Sequence, residues 1–203
     1  MSRTGGFIVA LALSAIPAIA VGQDPMPERA RTVVGRDPGF GGFVGLDVRV
    51  GEVKDVSGAF TGGEVAMLLG RRLSVGLAGY GWTAGDVRAP AGAGAAAGAL
   101  RMGYGGVRIG YALRPRRVVH GTLELLLGGG GARWSDAPNG DGRDSDGFLV
   151  LEPAVGAEVN LTPFLRLALG ASYRQAVGAE LTGLQDRDLS GVTLRVGARA
   201  GRF

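Results

Sequence analysis

Apolar and polar side chains alternate one for one through the last third of the chain, from Phe148 to Phe203, pausing only at turn residues. In 148–159 the odd positions are Leu149, Leu151, Pro153, Val155, Ala157 and Val159, while Glu152 and Glu158 are even. In 165–175 Leu165, Leu167, Leu169, Ala171 and Tyr173 are odd, with Arg166, Ser172 and Arg174 between them. In 191–203 the parity reverses: Val192, Leu194, Val196, Ala198 and Ala200 are even, with Thr193, Arg195 and Arg199 between them. A period of two puts alternate side chains on opposite faces of a strand, so each segment predicts a strand with one apolar face and one charged face.

Five more segments of this kind precede these three. They are 43–53 (Val44, Leu46, Val48 and Val50 against Asp47 and Arg49), 59–69 (Val65, Met67 and Leu69 against Glu64) and 73–83 (Leu73, Val75 and Leu77 against Ser74, Gly76 and Ala78). The others are 100–111 (Val107, Ile109 and Tyr111 against Arg108) and 118–134 (Val119, Leu123, Leu125 and Leu127 against His120, Thr122 and Glu124). The connections alternate in length. Residues 70–72, 113–117 and 160–164 make tight turns; 84–99, 135–147 and 176–190 make long loops, with 54–58 the short member of the long set. Eight strands of about 9–11 residues or slightly more, with short turns at one end and longer loops at the other, predict an all-β, antiparallel up-and-down transmembrane β-barrel.

The N-terminal residues supply a compartment. Arg3, an apolar run over 7–16 and the small residues Ala18 and Ala20 read as a secretory signal peptide over 1–20, cleaved after Ala20 or alternatively after Gly22. The run falls short of the ~20 apolar residues a helical span needs, and no later segment approaches that length. Residues 21–39, with Pro25, Pro27 and Pro38, form a flexible periplasmic lead-in, and 40–203 the barrel domain. There is no cysteine, so export leads to no disulfide. The 39 glycines are well above the average of ~7 %; lying within alternating runs, they suit sheet bends and close backbone contacts. The net charge of +4 comes from dispersed arginines without a basic run and interleaved aromatics, which argues against nucleic acid and for anionic head groups.

Aromatic side chains gather near the strand ends. Phe43, Tyr111, Phe164 and Phe203 lie at the turn side, and Phe60, Tyr80, Trp82, Tyr104, Trp134, Phe148 and Tyr173 at the loop side, a placement expected of interfacial girdles.

On these features the chain resembles the small eight-stranded outer-membrane barrels of the OmpA/OmpX type. From Glu152 onward it is also similar to a group of uncharacterised outer-membrane β-barrel proteins. The residues that carry the second resemblance are Glu158-Val-Asn160-Leu-Thr162-Pro-Phe164-Leu-Arg166, Gly170-Ala-Ser-Tyr173-Arg174, Gly183-Leu-Gln-Asp186-Arg-Asp188-Leu189-Ser-Gly191 and the terminal Phe203. The resemblance implies a fold and the outer membrane, and no activity. It also implies that Phe203 serves as the C-terminal signal read by the barrel-assembly machinery. Phe203 has odd parity while the apolar face of its strand is even; a bulge near Gly201 could restore the register, and without one the assembly-signal reading weakens while the barrel reading stands.

With the aliphatic face outward, the inward set carries Asp47, Glu64, Glu124, Glu152 and Glu158 against Arg49, Arg108, Arg166, Arg174, Arg195 and Arg199. An eight-stranded barrel is narrow enough for side chains to fill it, and buried charges must be paired, so these residues predict an interior charge network. The alternative is a narrow polar conduit. His120, the one histidine, has Glu124 on its face, but ~13 Å away at strand rise; no nucleophile and acid surround it, which argues against catalysis. Asp136, Asn139, Asp141, Asp144 and Asp146 offer hard oxygen ligands, yet their spacing fits no calcium loop, and they read as a solvated acidic loop. The glycines at 92–94 and 128–131 match neither a dinucleotide nor a phosphate loop. No cofactor or metal is expected.

The reading is therefore a non-enzymatic integral outer-membrane barrel with a structural role or one mediated by its loops. A small pore for ions or solutes is the alternative. A soluble lipocalin-like barrel, with the faces inverted around an apolar ligand, is the third. The expected partners are outer-membrane lipid and lipopolysaccharide, the barrel-assembly machinery and an extracellular partner of unknown kind.

Overall fold

The computed structural model describes residues 39–84, 87, 99–134, 145–180 and 183–203. The expected signal segment 1–20, nearly all of the lead-in 21–39, most of the loop 84–99, and Asp136, Asn139, Asp141 and Asp144 lie outside these residues.

Eight strands run in order: β1 (Gly41–Val53), β2 (Val56–Leu69), β3 (Leu73–Ala84), β4 (Leu100–Leu113), β5 (Val119–Trp134), β6 (Ser145–Asn160), β7 (Leu165–Val177) and β8 (Gly191–Arg202). Each pairs antiparallel with the next, and β8 returns to β1, closing an up-and-down barrel. Registered partners can be followed once around the ring, from Gly41 through Leu68, Ser74, Gly110, Glu124, Ala154, Ser172 and Thr193. The path returns to β1 at Gly51, ten residues further on. Such a stagger is what tilts barrel strands by roughly 35–45°.

Two connections differ from the sequence reading. The loop expected over 54–58 is a two-residue turn, because Val53 pairs with Val56 and β2 starts three residues early. Lys54 (φ 49) and Asp55 (φ 60) both take the left-handed conformation, the geometry whose twist matches a two-residue hairpin. The loop expected over 176–190 contains a short helix, α1 (Asp186–Leu189). A reciprocal capping box holds its start, with Gln185 and Asp188 each serving the other's backbone N–H. Composition gave this four-residue element no periodic signal.

Burial follows parity in every strand. The aliphatic set faces out: Val44, Leu46, Val48, Val65, Ile109, Leu123, Leu151, Leu169, Leu194 and their neighbours are exposed. The charged set faces in and is buried. The inverted, lipocalin-like arrangement is thereby corrected, since a barrel that bound an apolar ligand inside would hold the aliphatics within.

Two glycines make the packing inside possible. A Cβ at Gly62 would stand 2.1 Å from the Gly79 carbonyl oxygen and 2.4 Å from the Tyr80 ring. A Cβ at Gly197 would stand 1.9 Å from Asp47 Oδ1. Both positions face inward, and each leaves room for a large neighbour.

Candidate functional site: the barrel interior and its loop end

All eleven charged residues assigned to the interior are buried there, and they meet across the lumen more than along a strand. Glu124 of β5 is the hub. It pairs with Arg108 of β4, with Arg195 of β8 at 2.5 Å and with Arg199 of β8 at 3.0 Å. Arg199 also donates through Nε to Glu64 Oε1 at 2.7 Å and pairs with Glu158; Arg108 pairs with Glu64. The register explains why acids from other strands are needed beside the seam. Arg49 faces Arg195 directly across the β1–β8 pair, and Arg166 faces Arg199 across β7–β8. Like charges so placed repel unless carboxylates from opposite strands come between them.

Nearer the loop end a second group surrounds Arg49. Arg49 pairs with Glu152, donates to the Tyr104 hydroxyl at 3.3 Å, and lies 3.5 Å above the Tyr80 ring. Tyr80 donates to Asp47 at 3.2 Å, Ser172 donates to Glu152 at 2.5 Å, and Ser172 and Thr193 share a 2.6 Å hydrogen bond. Sequence reasoning missed Tyr80, Tyr104, Ser172 and Thr193 as members of this network. A signal was available for Tyr104, Ser172 and Thr193, which share the inward parity of the buried arginines on their strands; β3 carries no charge, so Tyr80 had only its parity opposite Leu73, Val75 and Leu77.

The loop end is closed by apolar side chains. Leu184 and Leu189, from the segment after β7, pack with Val53, Phe60, Val87, Trp134, Phe148 and Val150. This corrects the loop-side aromatic girdle: Phe60, Tyr80, Tyr104, Trp134 and Phe148 are buried inside the barrel, and Tyr173 alone of that set is clearly exposed. Stacking supplies the physical reason. Phe60 meets Trp82 at 4.8 Å and Tyr104 at 5.7 Å, both edge-on, a geometry worth ~0.5–1.5 kcal/mol per pair beyond area burial.

Arg174 ties this closure to the wall. Its side chain is fully buried, and among the described residues no carboxylate pairs with it. Its Nε donates to the Leu189 carbonyl at 2.6 Å, its Nη2 donates to the Glu52 carbonyl at 3.2 Å, and its guanidinium lies 4.5 Å from the Phe60 ring centroid. Further bonds lace the segment itself: Ala179 N–H to Asp186 at 2.7 Å, Glu180 N–H to Asp146, and Ala176 N–H to Ser190 Oγ at 3.0 Å. Asp146, first read as part of a solvated loop, is thus a backbone acceptor. Around the closure lie two shallow depressions of about 620 and 570 Å³, both bordered by Lys54, Asp55, Arg187 and Asp188.

The turn end is closed differently. Phe43 stacks on Phe203 at 5.7 Å with Leu68 and Ala66 beside them, and Arg166 lies 3.7 Å from the Phe203 ring centroid. No bulge interrupts β8 near Gly201 to change the facing of Phe203: the strand runs unbroken in register against both β1 and β7. Phe203 therefore keeps its inward parity, which weakens the assembly-signal reading on its own terms. A cavity of about 20 Å³ remains at this end, room for roughly one water.

His120 is buried beside the turn end, with Nε2 3.2 Å from Glu158 Oε2. Its cross-strand partner is Glu158, not Glu124, and Arg166 shares the same carboxylate oxygen at 3.2 Å. Among the described residues no group of three acid, histidine or cysteine side chains is placed to hold a metal.

No protein family is matched by the sequence, and no curated protein is similar to it. Solved structures are similar in fold. Neisserial surface protein A covers 80% of this chain and 96% of its own at 15% identity, with a TM-score of 0.58. The N-terminal barrel domain of Pseudomonas aeruginosa OprF covers 78% and 96% at 11% identity with a TM-score of 0.49. The attachment invasion locus protein Ail of Yersinia pestis covers 80% and 97% at 16% identity with a TM-score of 0.46. The chain is, in fold, a small eight-stranded barrel of the kind found among outer-membrane proteins.

Proposed function

We propose that this chain is a non-enzymatic, integral outer-membrane barrel that acts through contacts made by its loop end. The observation that carries the reading is the division of the barrel wall. A continuous belt of exposed aliphatic side chains surrounds an interior of paired charges, an arrangement stable in lipid and costly in water. Outer-membrane lipid and lipopolysaccharide solvate such a belt, and the barrel-assembly machinery would insert it.

The loop end supports an interaction role. Lys54, Asp55, Arg187 and Asp188 surround shallow depressions on a closure that Arg174, Leu184 and Leu189 hold rigid. Polar groups on a rigid scaffold are the usual site of recognition. The packed interior, closed by apolar side chains at both ends, counts against the conduit.

Heat-modifiability of the mature protein from separated membrane fractions tests the membrane part. Folded barrel in the outer-membrane fraction, migrating differently before and after boiling, supports it; release as soluble protein overturns it. The interaction part is tested at the loop end of cells bearing the protein, with Lys54→Glu and Arg187→Glu together. Loss of surface binding with the barrel still heat-modifiable supports it. Deletion of the whole 176–190 segment is a poor test, because Leu184 and Leu189 belong to the interior packing.

A further inference from the structure

Exposed charge is divided unequally between the two ends of the barrel. The turn end carries Arg71 and Arg72 between β2 and β3, Arg114, Arg116 and Arg117 between β4 and β5, and Arg202 at the end of β8, all exposed. Among the described residues no exposed acidic side chain lies at that end; Glu64 and Glu158 are buried inside. The loop end balances Lys54, Arg101, Arg133 and Arg187 against Glu52, Asp55, Glu180, Asp186 and Asp188.

The backbone fixes the two arginine-bearing turns side by side. Ala112 N–H donates to the Arg72 carbonyl at 2.8 Å, joining one turn to the other. Asn160 Nδ2 donates to the carbonyls of Arg117 at 2.7 Å and Pro115 at 3.3 Å, bracing the second turn from β6. Arg71 (φ 62) and Arg114 (φ 56) occupy left-handed backbone positions that glycine or asparagine would fill with less strain. Folding alone therefore favours a different residue at both sites.

Depth along the barrel identifies the ligand. Arg72 donates to the Tyr111 hydroxyl at 3.4 Å, and Tyr111 lies on the outward face between its registered neighbours Leu73 and Leu123, all three exposed. A tyrosine with its ring against lipid and its hydroxyl toward water marks the interface. The guanidiniums then stand at head-group level, where planar forks match phosphate oxygens.

We propose that the turn end binds the phosphate groups of anionic glycerophospholipids through Arg71, Arg72, Arg114, Arg116, Arg117 and Arg202. The proposal rests on the membrane reading above. The barrel acquires a boundary layer enriched in acidic lipid on one leaflet, held by charge at the turns and by the apolar belt beside them. Each arginine close to an anionic surface strengthens association by about fivefold before screening.

The test uses the protein reconstituted in phosphatidylcholine vesicles with a trace of spin-labelled phosphatidylglycerol or spin-labelled phosphatidylcholine. The ratio of motionally restricted lipid gives the preference. The intact chain should favour phosphatidylglycerol by about fivefold or more. Arg72→Gln, Arg116→Gln and Arg117→Gln together should abolish most of that preference, and Arg101→Gln with Arg133→Gln at the other end should leave it. Should the triple variant not fold, Arg116→Gln alone should lower the ratio measurably. No preference in the intact chain, or equal loss from variants at either end, overturns the proposal. A chain that does not integrate into the vesicles overturns the membrane reading as well; an integrated chain without preference overturns this inference alone.

Discussion

Arg174 Nε donates to the carbonyl oxygen of Leu189 at 2.6 Å, so a buried cation on the wall holds the last residue of the helix that closes the loop end. A hydrogen bond to a charged group contributes about 1.5–3 kcal/mol. Arg174→Ala should raise local opening of the closing segment on the order of ten- to a hundredfold. Trypsin should then cut after Arg187, whose side chain is 81% exposed, faster by a similar factor, as fragment masses would show. An unchanged rate would mean that Leu184 and Leu189 hold the segment alone.

Glu124 neutralises three arginines at once. Glu124→Gln leaves them with too few carboxylates, and breaking a buried pair costs about 3–5 kcal/mol. The urea midpoint of the folded barrel in lipid should fall accordingly. Arg195→Gln in the same background should cost less than it does alone, because its partner is already gone. Additive losses would show that Arg195 draws its stability from elsewhere.

Gly62 and Gly81 separate packing from mere glycine content. Gly62→Ala puts a methyl group 2.1 Å from a backbone oxygen, and the heat-modifiable fraction should drop sharply. At Gly81 nothing lies within 4 Å of the added carbon, and Gly81→Ala should fold as the parent does. Equal behaviour on unboiled gels would contradict the interior packing described for Tyr80.

Phe43 and Phe203 should be energetically coupled. Their rings stack at 5.7 Å, and a double-mutant cycle with alanine should return about 0.5–1.5 kcal/mol of interaction. A coupling near zero with slow assembly confined to Phe203→Ala would favour recognition of Phe203 by assembly machinery over packing.

Pure folded protein in planar bilayers should be electrically silent. The charges that could line a path are paired across the lumen, and apolar clusters cover both ends. Discrete conductance steps from a verified folded sample would restore the conduit.

The barrel was legible in the sequence because period two is a local property. Val44, Leu46 and Val48 against Asp47 and Arg49 specify a face without any knowledge of the neighbouring strand. The partner of each charge was not legible, since Arg199 finds Glu64 across 135 positions of chain and only the register brings them together. The misread girdle has a related cause. Phe60, Tyr104 and Phe148 were judged by their place near strand ends, when their inward parity already put them inside. The two-residue turn at Lys54 and Asp55 was obscured because Ser57 and Gly58 resemble loop residues in composition.

Seven of the eight strand pairings join neighbours in sequence; the pairing of β1 with β8 joins the two ends of the barrel-forming chain. Closing that seam carries the largest loop entropy of any step, and an open sheet presents two unpaired edges until it is done. Arg49, Arg195 and Arg199 all lie on the two seam strands. Arg49 pairs with Glu152 of β6 and Arg199 with Glu64 of β2, so these two ion pairs, which reach across the seam, form at its final zippering and give little help to the chain before it.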